Sequence, residues 1–234
     1  MPQIYHIGFK ELNNKEYFQE HIASDMKNNY YWSDDWSCEF YIALAKAGFI
    51  STTHDSIGGL VLLPELQYDY AVLYFKDLYI SSKVKKLLTK NNYNFSVDNK
   101  FDEVLDKFSK YHKDNWLKDK YIETLKSLHL NKNDRDDFKI TSFEVVCNET
   151  NEIIAGEVGY IIGATYTSLS GFSSREKNYS NYGTLQLVLL AQYLKNHNFE
   201  FWNLGHPHME YKKRLGCTVL NRSDFLKVWN KAIN

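Results

Sequence analysis

The sequence predicts an α+β fold, and the observations behind this prediction lie in its second half. Residues 155–172, AGEVGYIIGATYTSLSGF, alternate apolar with small or polar side chains, which is the period of paired strands. Gly163-Ala164 supplies a hairpin turn between them. Residues 184–197, TLQLVLLAQYLKNH, are apolar almost all round, as in a helix that packs on a sheet. Residues 199–204 then return as a strand before a glycine.

The first part of the chain reads as a smaller α+β unit. Residues 39–49, EFYIALAKAGF, have helical apolar spacing and end in a glycine followed by phenylalanine. Residues 61–75, VLLPELQYDYAVLYF, predict two strands broken near Pro64. The serine pair at 81–82 can cap a helix that runs through Leu88.

Further elements lead to a predicted domain boundary. The stretch FSVDNKFDEVLDKFSKYH predicts a short strand followed by a helix near Phe101, and another helix covers about 119–130. The segment 131–139, NKNDRDDFK, is charged and turn-rich, as expected of a linker. We therefore predict a small N-terminal α+β domain, residues 1–130, and a second domain, residues 140–234.

Composition limits the classes of function. The chain has 234 residues, of which 44% are hydrophobic, enough for a substantial core. Its formal net charge of -1 argues against a protein that coats nucleic acid or an anionic membrane by bulk charge. Any contact with nucleic acid is therefore expected to be local.

The cysteines and the hydropathy pattern predict a cytoplasmic location. Cys38, Cys147 and Cys217 are odd in number and lack the paired spacing of a zinc site or a disulfide framework. No apolar run of 18 residues could span a bilayer, and the start MPQIYHIGFKELNNKEYF is too polar for a secretory signal. We expect a monomer that has no membrane partner.

Several segments, taken in order, carry a family resemblance. They are FYIALAKAGFI, FKDLYISSKVKKLLTKNNYNFSVDNKFDEVLDKF, Asn115-Trp116-Leu117 and the stretch from Phe143 to Leu226. Their order and spacing resemble the leucyl/phenylalanyl-tRNA-protein transferase family, which moves an amino acid from charged tRNA to a protein's N-terminal amine. The resemblance implies a C-terminal acetyltransferase-like (GNAT-like) domain with a mixed sheet. It also implies a role in the N-end rule of protein degradation.

The chain departs from that family at two functional positions. Where the well-known bacterial branch has Gly-Glu-Ser-Met-Phe, this chain has Leu169 in place of the glutamate. Where that branch has Asp-Cys-Gln, this chain has Asn203-Leu204-Gly205. The segments SLSGF, GTLQL and MEYK also resemble arginyl-type transferases. The transferred amino acid therefore stays open between leucine or phenylalanine and arginine.

The chemistry of such a transfer points to candidate catalytic residues. An aminoacyl-tRNA ester is already activated, so aminoacyl-tRNA acts as a co-substrate and no cofactor or metal is needed. A proton acceptor and correct positioning are needed. Glu157 can supply a carboxylate whose pKa is raised by burial, or it is a solvated glutamate paired with a lysine. His206 can act as a base near neutral pH, and with His208 alone it makes a weak metal site. Asn203 can orient the amine or the terminal ribose, or satisfy nearby backbone.

Other residues are candidates for binding. Tyr166, Ser168 and Ser170 are expected to share one strand face and line the aminoacyl pocket, or to pack across strands. Gln186 reaches the acyl group or caps its own helix turn. Trp116 matches a family tryptophan at the site of the tRNA's terminal adenosine. Basic residues that could contact acceptor-stem phosphates, or merely form solvated helix faces, are Lys83, Lys85, Lys86, Lys212, Lys213 and Arg214.

Two alternative functions remain open at this point. A GNAT-type N-acetyltransferase that uses acyl-CoA would share the fold, but the turn SSREKNYSNYGT lacks the repeated glycines that cradle pyrophosphate. A catalytically inactive relative that binds tRNA or degron peptides would fit the substituted family positions. Such a protein would have no proton acceptor in its site.

Overall fold

The computed structural model describes residues 4–111, 116–131 and 137–234. Its first part contains β1 (Tyr5–His6), α1 (Phe9–Asn13), α2 (Lys15–Tyr17), a π-helical turn (Phe18–Ala23), β2 (Tyr31–Trp32) and α3 (Cys38–Lys46). The side chain of Ser37 caps α3 by accepting a hydrogen bond from the Phe40 amide. Gly48, with a φ of 92°, follows the end of α3, so the helix predicted over 39–49 is confirmed.

The next elements are β3 (Ile50–Ser56), β4 (Gly59–Glu65) and β5 (Asp69–Leu73), and β3 and β4 form an antiparallel hairpin. The break predicted near Pro64 is wrong in position, because Pro64 lies within β4. A two-stranded sheet tolerates a proline, since each strand has an edge that needs no ladder hydrogen bonds. The chain breaks instead at residues 66–68, between β4 and β5.

The remaining elements follow in chain order. They are the 3₁₀ turn Phe75–Asp77, α4 (Ser82–Leu88), β6 (Tyr93–Val97), α5 (Phe101–Tyr111), α6 (Asp119–Leu130), β7 (Lys139–Cys147), β8 (Ile153–Ile162), β9 (Thr165–Ser173), the 3₁₀ turn Lys177–Tyr179, α7 (Tyr182–Asn196), β10 (Phe201–Asn203), α8 (Glu210–Leu215), β11 (Thr218–Asn221) and α9 (Arg222–Ala232). Ser81 caps α4, and Gly163-Ala164 joins β8 to β9, as predicted.

Within the described ranges, seven strands form the main sheet, in the order β11-β5-β10-β9-β8-β7-β6. All neighbours pair antiparallel except β9 and β10, which are parallel and are connected by α7. Antiparallel strands followed by a helix and a parallel strand make the acetyltransferase-like arrangement. The predicted α+β class, with a GNAT-like mixed sheet, is confirmed.

The sheet includes strands from both sides of the predicted boundary. β5 and β6 precede residue 130, yet β5 pairs with β10 and β6 pairs with β7. Residues 132–136 of the predicted linker lie outside the described residues. The division at 131–139 therefore stays a prediction, while the main sheet is common to both parts of the chain.

Two clusters of buried apolar residues cover the two faces of this sheet. One contains Val158 and Tyr160 of β8 together with residues of α3, α5, α6 and α9. The other contains Ala155 of β8 and Tyr166 of β9 together with residues of α4, α7 and α8. We call the second face the α7 face. Alternation along each strand therefore decides which polar side chains can meet.

Candidate active site

The candidate site lies where β9 and β10 separate. The two strands pair only from Phe201 opposite Thr165 to Asn203 opposite Thr167, and β9 then continues to Ser173 paired with β8 alone. The chain after β10 turns away at Gly205, which has a φ of 71°. The two strands thus form an open fork, whose polar side chains are held by the elements around it.

Glu157 is buried on the α7 face beside this fork. Only 3% of the residue is exposed, and the hydroxyl of Tyr166 donates a hydrogen bond of 3.1 Å to its Oε1. Ser168 donates to the same oxygen, and Trp202 Nε1 donates to Ser168 Oγ over 2.7 Å. Glu157 is therefore not a solvated strand glutamate.

Burial determines the acidity of the Glu157 carboxyl. Loss of hydration raises its pKa from 4.5 to about 7, although the two hydroxyl donors and the Lys212 ammonium favour the charged form. A glycine makes room for this arrangement, since a Cβ at Gly159 would lie 2.4 Å from the Tyr166 hydroxyl oxygen. The carboxyl therefore binds a proton more readily than an exposed glutamate does.

Ser170 does not join this cluster. Val158 pairs with Ser170, but the next residue of β8, Gly159, pairs with Ser168, so Leu169 is an extra residue in β9. This bulge shifts the alternation by one position and puts Ser170 on the opposite face from Ser168. The prediction that Tyr166, Ser168 and Ser170 share one face is wrong for Ser170.

Lys212 belongs to the site rather than to the protein surface. It is 4% exposed, and its Nζ donates to the carbonyl oxygen of Leu204 over 2.6 Å and also to that of His206. Burial lowers the pKa of Lys212 to about 8, while Glu157 opposes that shift. The structure corrects the predicted phosphate contact at Lys212, because a buried ammonium bonded to two carbonyl oxygens does not face a phosphate.

The contrast between Lys212 and its exposed neighbour Lys213 gives a first prediction. We expect Lys212→Met to lower kcat because the backbone of residues 204–206 loses its two hydrogen bonds, while tRNA affinity is nearly unchanged. We expect Lys213→Met to leave kcat unchanged and to reduce the slope of log affinity against log salt by about 1. Steady-state transfer assays and filter binding at several salt concentrations measure both. Equal salt slopes for the two variants would contradict the distinction.

Lys212 bonds the backbone of His206, and the side chain of His206 has a partner that the sequence did not predict. Its Nε2 is 2.8 Å from Oε2 of Glu65, and 41% of the histidine side chain is exposed. The rings of His206 and His208 stack at 5.7 Å. Within the described ranges, no group of three or more His, Cys, Asp or Glu residues is arranged to hold a metal ion.

Asn203 lies on the opposite sheet face from Glu157. Its Nδ2 donates to Thr167 Oγ1 over 3.3 Å, and its Oδ1 accepts from the Gly205 amide over 3.0 Å. Thr167 lies between Tyr166 and Ser168 in β9 and so points away from the Glu157 cluster. These contacts favour the alternative in which Asn203 satisfies nearby backbone and fixes the turn at Gly205.

Trp116 and Gln186 are the other two predicted binding residues. Trp116 is half-buried and packs edge to face on Phe108 and Tyr121, within the cluster on the face opposite α7. Gln186 is 3% exposed, and its Nε2 has no partner among the residues that the structure describes. Gln186 does not cap α7, because Asn181 occupies the N-cap position.

The other basic candidates form an exposed surface. Tyr79, just before α4, donates its amide hydrogen to the Leu215 carbonyl oxygen over 2.9 Å, which joins the start of α4 to the end of α8. We call the exposed basic residues of these helices the basic surface: Lys83, Lys85, Lys86, Lys213 and Arg214. Their positions are compatible with the predicted phosphate contacts, which stay predictions.

Comparisons with known proteins bear on this site. A family model described as leucyl/phenylalanyl-tRNA protein transferase matches residues 72–230, which is more than half of the chain. The chain belongs to this family. Its members are aminoacyltransferases that use aminoacyl-tRNA and a protein substrate, so the resemblance and the predicted enzyme class are confirmed.

Individual relatives are distant. A leucyl/phenylalanyl-tRNA--protein transferase of Flavobacterium johnsoniae is 26% identical over 163 residues, 67% of this chain and 70% of that protein. One from Maridesulfovibrio salexigens is 29% identical over 166 residues, 69% of this chain and 64% of that protein. The identity leaves ample room for exchanged site residues.

Solved structures resemble the chain only loosely. FemX superposes with a TM-score of 0.49 at 13% identity, covering 69% of this chain and 64% of FemX. A GCN5-related glucosamine N-acetyltransferase region of a fungal GH3 β-N-acetylglucosaminidase gives 0.46 at 13% identity, covering 81% of this chain and 22% of that one. Such scores carry no argument about function. In the described part of the chain no helix is long and apolar enough to cross a membrane.

Proposed function

We propose that this protein transfers an amino acid from charged tRNA to the N-terminal amine of an acceptor protein, as a monomeric cytoplasmic enzyme of the N-end rule. It uses no metal and no cofactor besides the aminoacyl-tRNA. One observation carries the proposal beyond family membership. A buried lysine, Lys212, bonds the backbone carbonyl oxygen of His206 and interacts electrostatically with Glu157, so it links the segments that carry these two titratable residues.

The reaction needs a proton acceptor and a proton donor, and we assign these roles to His206 and Glu157. The neutral amine attacks the ester carbonyl carbon, a C–N bond forms, and the bond from that carbon to the ribose oxygen of tRNA breaks. The amine must lose a proton and the ribose oxygen must gain one. The exposed imidazole of His206 suits the proton acceptor, and the Glu157 carboxyl, with its pKa near 7, suits the proton donor.

The substituted family positions fit this division of roles. Leu169 replaces the family glutamate, and it lies in the bulge next to Ser168, which donates to Glu157. A carboxylate on β9 is thus replaced by one on the neighbouring strand β8. The presence of titratable groups in the fork argues against a catalytically inactive relative.

A direct assay tests the proposal. Separately charged Leu-, Phe-, Arg- and Met-tRNA with labelled amino acids are incubated with peptides that begin with a basic, an acidic or a methionine residue. Transfer to one class of peptide from one class of tRNA is expected, and it would define donor and acceptor together. Absence of transfer with every pair would overturn the proposal, and acetyl transfer from acetyl-CoA in its place would favour the N-acetyltransferase alternative.

A further inference from the structure

The His206 imidazole is held by a carboxylate that comes from a distant part of the chain. Glu65 ends β4 and lies 141 positions before His206, and the residue is only 5% exposed. The distance of 2.8 Å between His206 Nε2 and Glu65 Oε2 is that of a charge-assisted hydrogen bond. Within the described residues, no protein group bonds the other ring nitrogen, Nδ1.

The carboxylate is itself fixed. Asn29 Nδ2 donates to Glu65 Oε1 over 2.6 Å, so each carboxylate oxygen has a different partner. The backbone holds the two segments together through an antiparallel bridge between Tyr30 and Glu65 and a hydrogen bond of 2.8 Å from the Leu66 amide to the Asn29 carbonyl oxygen. Burial and the Glu65 carboxylate raise the pKa of Tyr30 to about 12, so its hydroxyl stays neutral beside it.

The backbone that carries the imidazole is equally constrained. Ala71 of β5 accepts from the Leu204 amide over 2.8 Å and donates to the Gly205 carbonyl oxygen over 2.7 Å. Lys212 holds the carbonyl oxygens of Leu204 and His206 from the other side. The backbone that carries the His206 ring is therefore fixed by hydrogen bonds, and Nε2 of the ring is fixed by Glu65.

We propose that Glu65 is the positioning residue for His206: it holds the Nε2–H tautomer and leaves Nδ1 as the acceptor for the amine proton. The inference rests on the proposed function. The three residues that build this support, Asn29, Tyr30 and Glu65, all precede residue 72, where the family match begins. The N-terminal segment thus completes a site whose other groups lie in the matched region.

The proton balance follows from this tautomer. As the C–N bond forms, the amine proton moves to Nδ1, and the imidazolium that results is stabilised by the carboxylate on Nε2. The leaving ribose oxygen takes its proton from Glu157. Exchange with solvent then removes the proton from His206 Nδ1 and returns a proton to Glu157, so no further reactant is needed.

A double-mutant cycle on kcat tests the positioning role. Glu65→Gln keeps the size of the side chain but removes its charge. We expect it to lower kcat by about 10- to 100-fold, which is part of the roughly 10²- to 10⁴-fold rate enhancement that a general base supplies. In the His206→Ala background the same substitution should lower kcat by less than a factor of about 2, because it acts through His206. Asp34→Asn, which removes the carboxylate beside the surface residue His6, is the matched control and should leave kcat unchanged.

A spectroscopic measurement separates this inference from the proposed function. In ¹⁵N-histidine-labelled protein, the His206 signals, assigned by their loss in His206→Ala, should show the Nε2–H tautomer and move toward a tautomer mixture in Glu65→Gln. This readout needs no transfer activity, so it stands even if the enzyme transfers nothing. Unchanged His206 signals in Glu65→Gln, or equal losses of kcat in both backgrounds, would overturn the inference. Matching thermal unfolding of Glu65→Gln and the parent protein rules out a general loss of structure.

Discussion

Replacing Glu157 by glutamine is expected to lower kcat by about 10²- to 10³-fold, within the usual contribution of a group that transfers a proton. Glutamine can accept the hydrogen bonds from Tyr166 and Ser168 but cannot donate a proton to the leaving oxygen. The variant therefore keeps the geometry of the fork but lacks the proton donor. Single-turnover transfer from a saturating amount of aminoacyl-tRNA measures the effect without a contribution from product release.

The neighbouring strand offers a matched control for this substitution. Glu144 is fully buried in β7, and its two carboxylate oxygens accept from the hydroxyls of Ser96 and Ser142. It pairs with Gly156, next to Glu157, so its side chain lies on the opposite face of the sheet. Glu144→Gln should leave kcat within about threefold of the parent value, because it changes a buried carboxylate away from the fork. Equal losses in both variants would show that Glu157 acts through stability alone.

The raised pKa of Glu157 also predicts a change in stability with pH. Its pKa is about 7 in the folded protein and near 4.5 in the unfolded chain, so between these values the folded state binds more protons. Stability from this group is present below pH 4.5 and is lost as the pH rises through 7. Relative to Glu157→Gln, the parent should lose up to about 3 kcal/mol of unfolding free energy between pH 4.5 and pH 8. Urea unfolding of both proteins across this range tests the sign, and parallel curves would contradict it.

Local patterns in the sequence were enough for several of the elements, although they did not predict β3, β7 or α9. The cap at Ser81, the hairpin at Gly163-Ala164 and the apolar helix α7 each depend on residues close in sequence, and each was predicted correctly. For Glu157 the sequence left two alternatives open, a buried acid and a solvated glutamate, and the structure shows the buried one. These features are local because capping, turn geometry and alternation act over a few residues.

The rest of the site depends on pairing between distant segments. The bulge at Leu169 exists only in the register between β8 and β9, so the strand pattern alone put Ser170 on the wrong face. Lys212 resembled a solvated helix lysine, because nothing in its neighbourhood shows that the turn of residues 204–206 folds over it. Glu65 had no signal in the sequence, since its partner His206 is brought near by the pairing of β5 with β10.

Arg222→Met is expected to cause the largest loss of stability, about 3–5 kcal/mol of unfolding free energy. Arg222 is 1% exposed at the start of α9, and its guanidinium donates only to backbone carbonyl oxygens in the described structure. The acceptors are those of Ile22, Asp25, Asn28, Leu66 and Gln67. Methionine fills much of the same volume, but it leaves these buried carbonyl groups without a donor.

The expected loss should lower the midpoint of thermal unfolding by roughly 6–20 °C for a chain of this size. The unfolding midpoint of Arg222→Lys should lie between those of Arg222→Met and the parent protein, because an ammonium offers three donors where the guanidinium offers five. Arg214→Met removes an exposed arginine and should stay within about 0.5 kcal/mol of the parent protein. A midpoint for Arg222→Met equal to that of Arg214→Met would contradict the assignment.

Loss of this arginine should also affect the contacts that hold the His206 side chain. The carbonyl oxygens that Arg222 holds belong to residues 22–28 and 66–67, and these segments adjoin Asn29 and Glu65. If they loosen, Asn29 no longer orients the Glu65 carboxylate, and His206 loses its fixed tautomer. Arg222→Met should therefore have a lower kcat even at temperatures below its unfolding midpoint. It should also move the His206 ¹⁵N signals in the same direction as Glu65→Gln. Normal His206 signals in a destabilised Arg222→Met protein would show instead that the N-terminal segment holds Glu65 without this arginine.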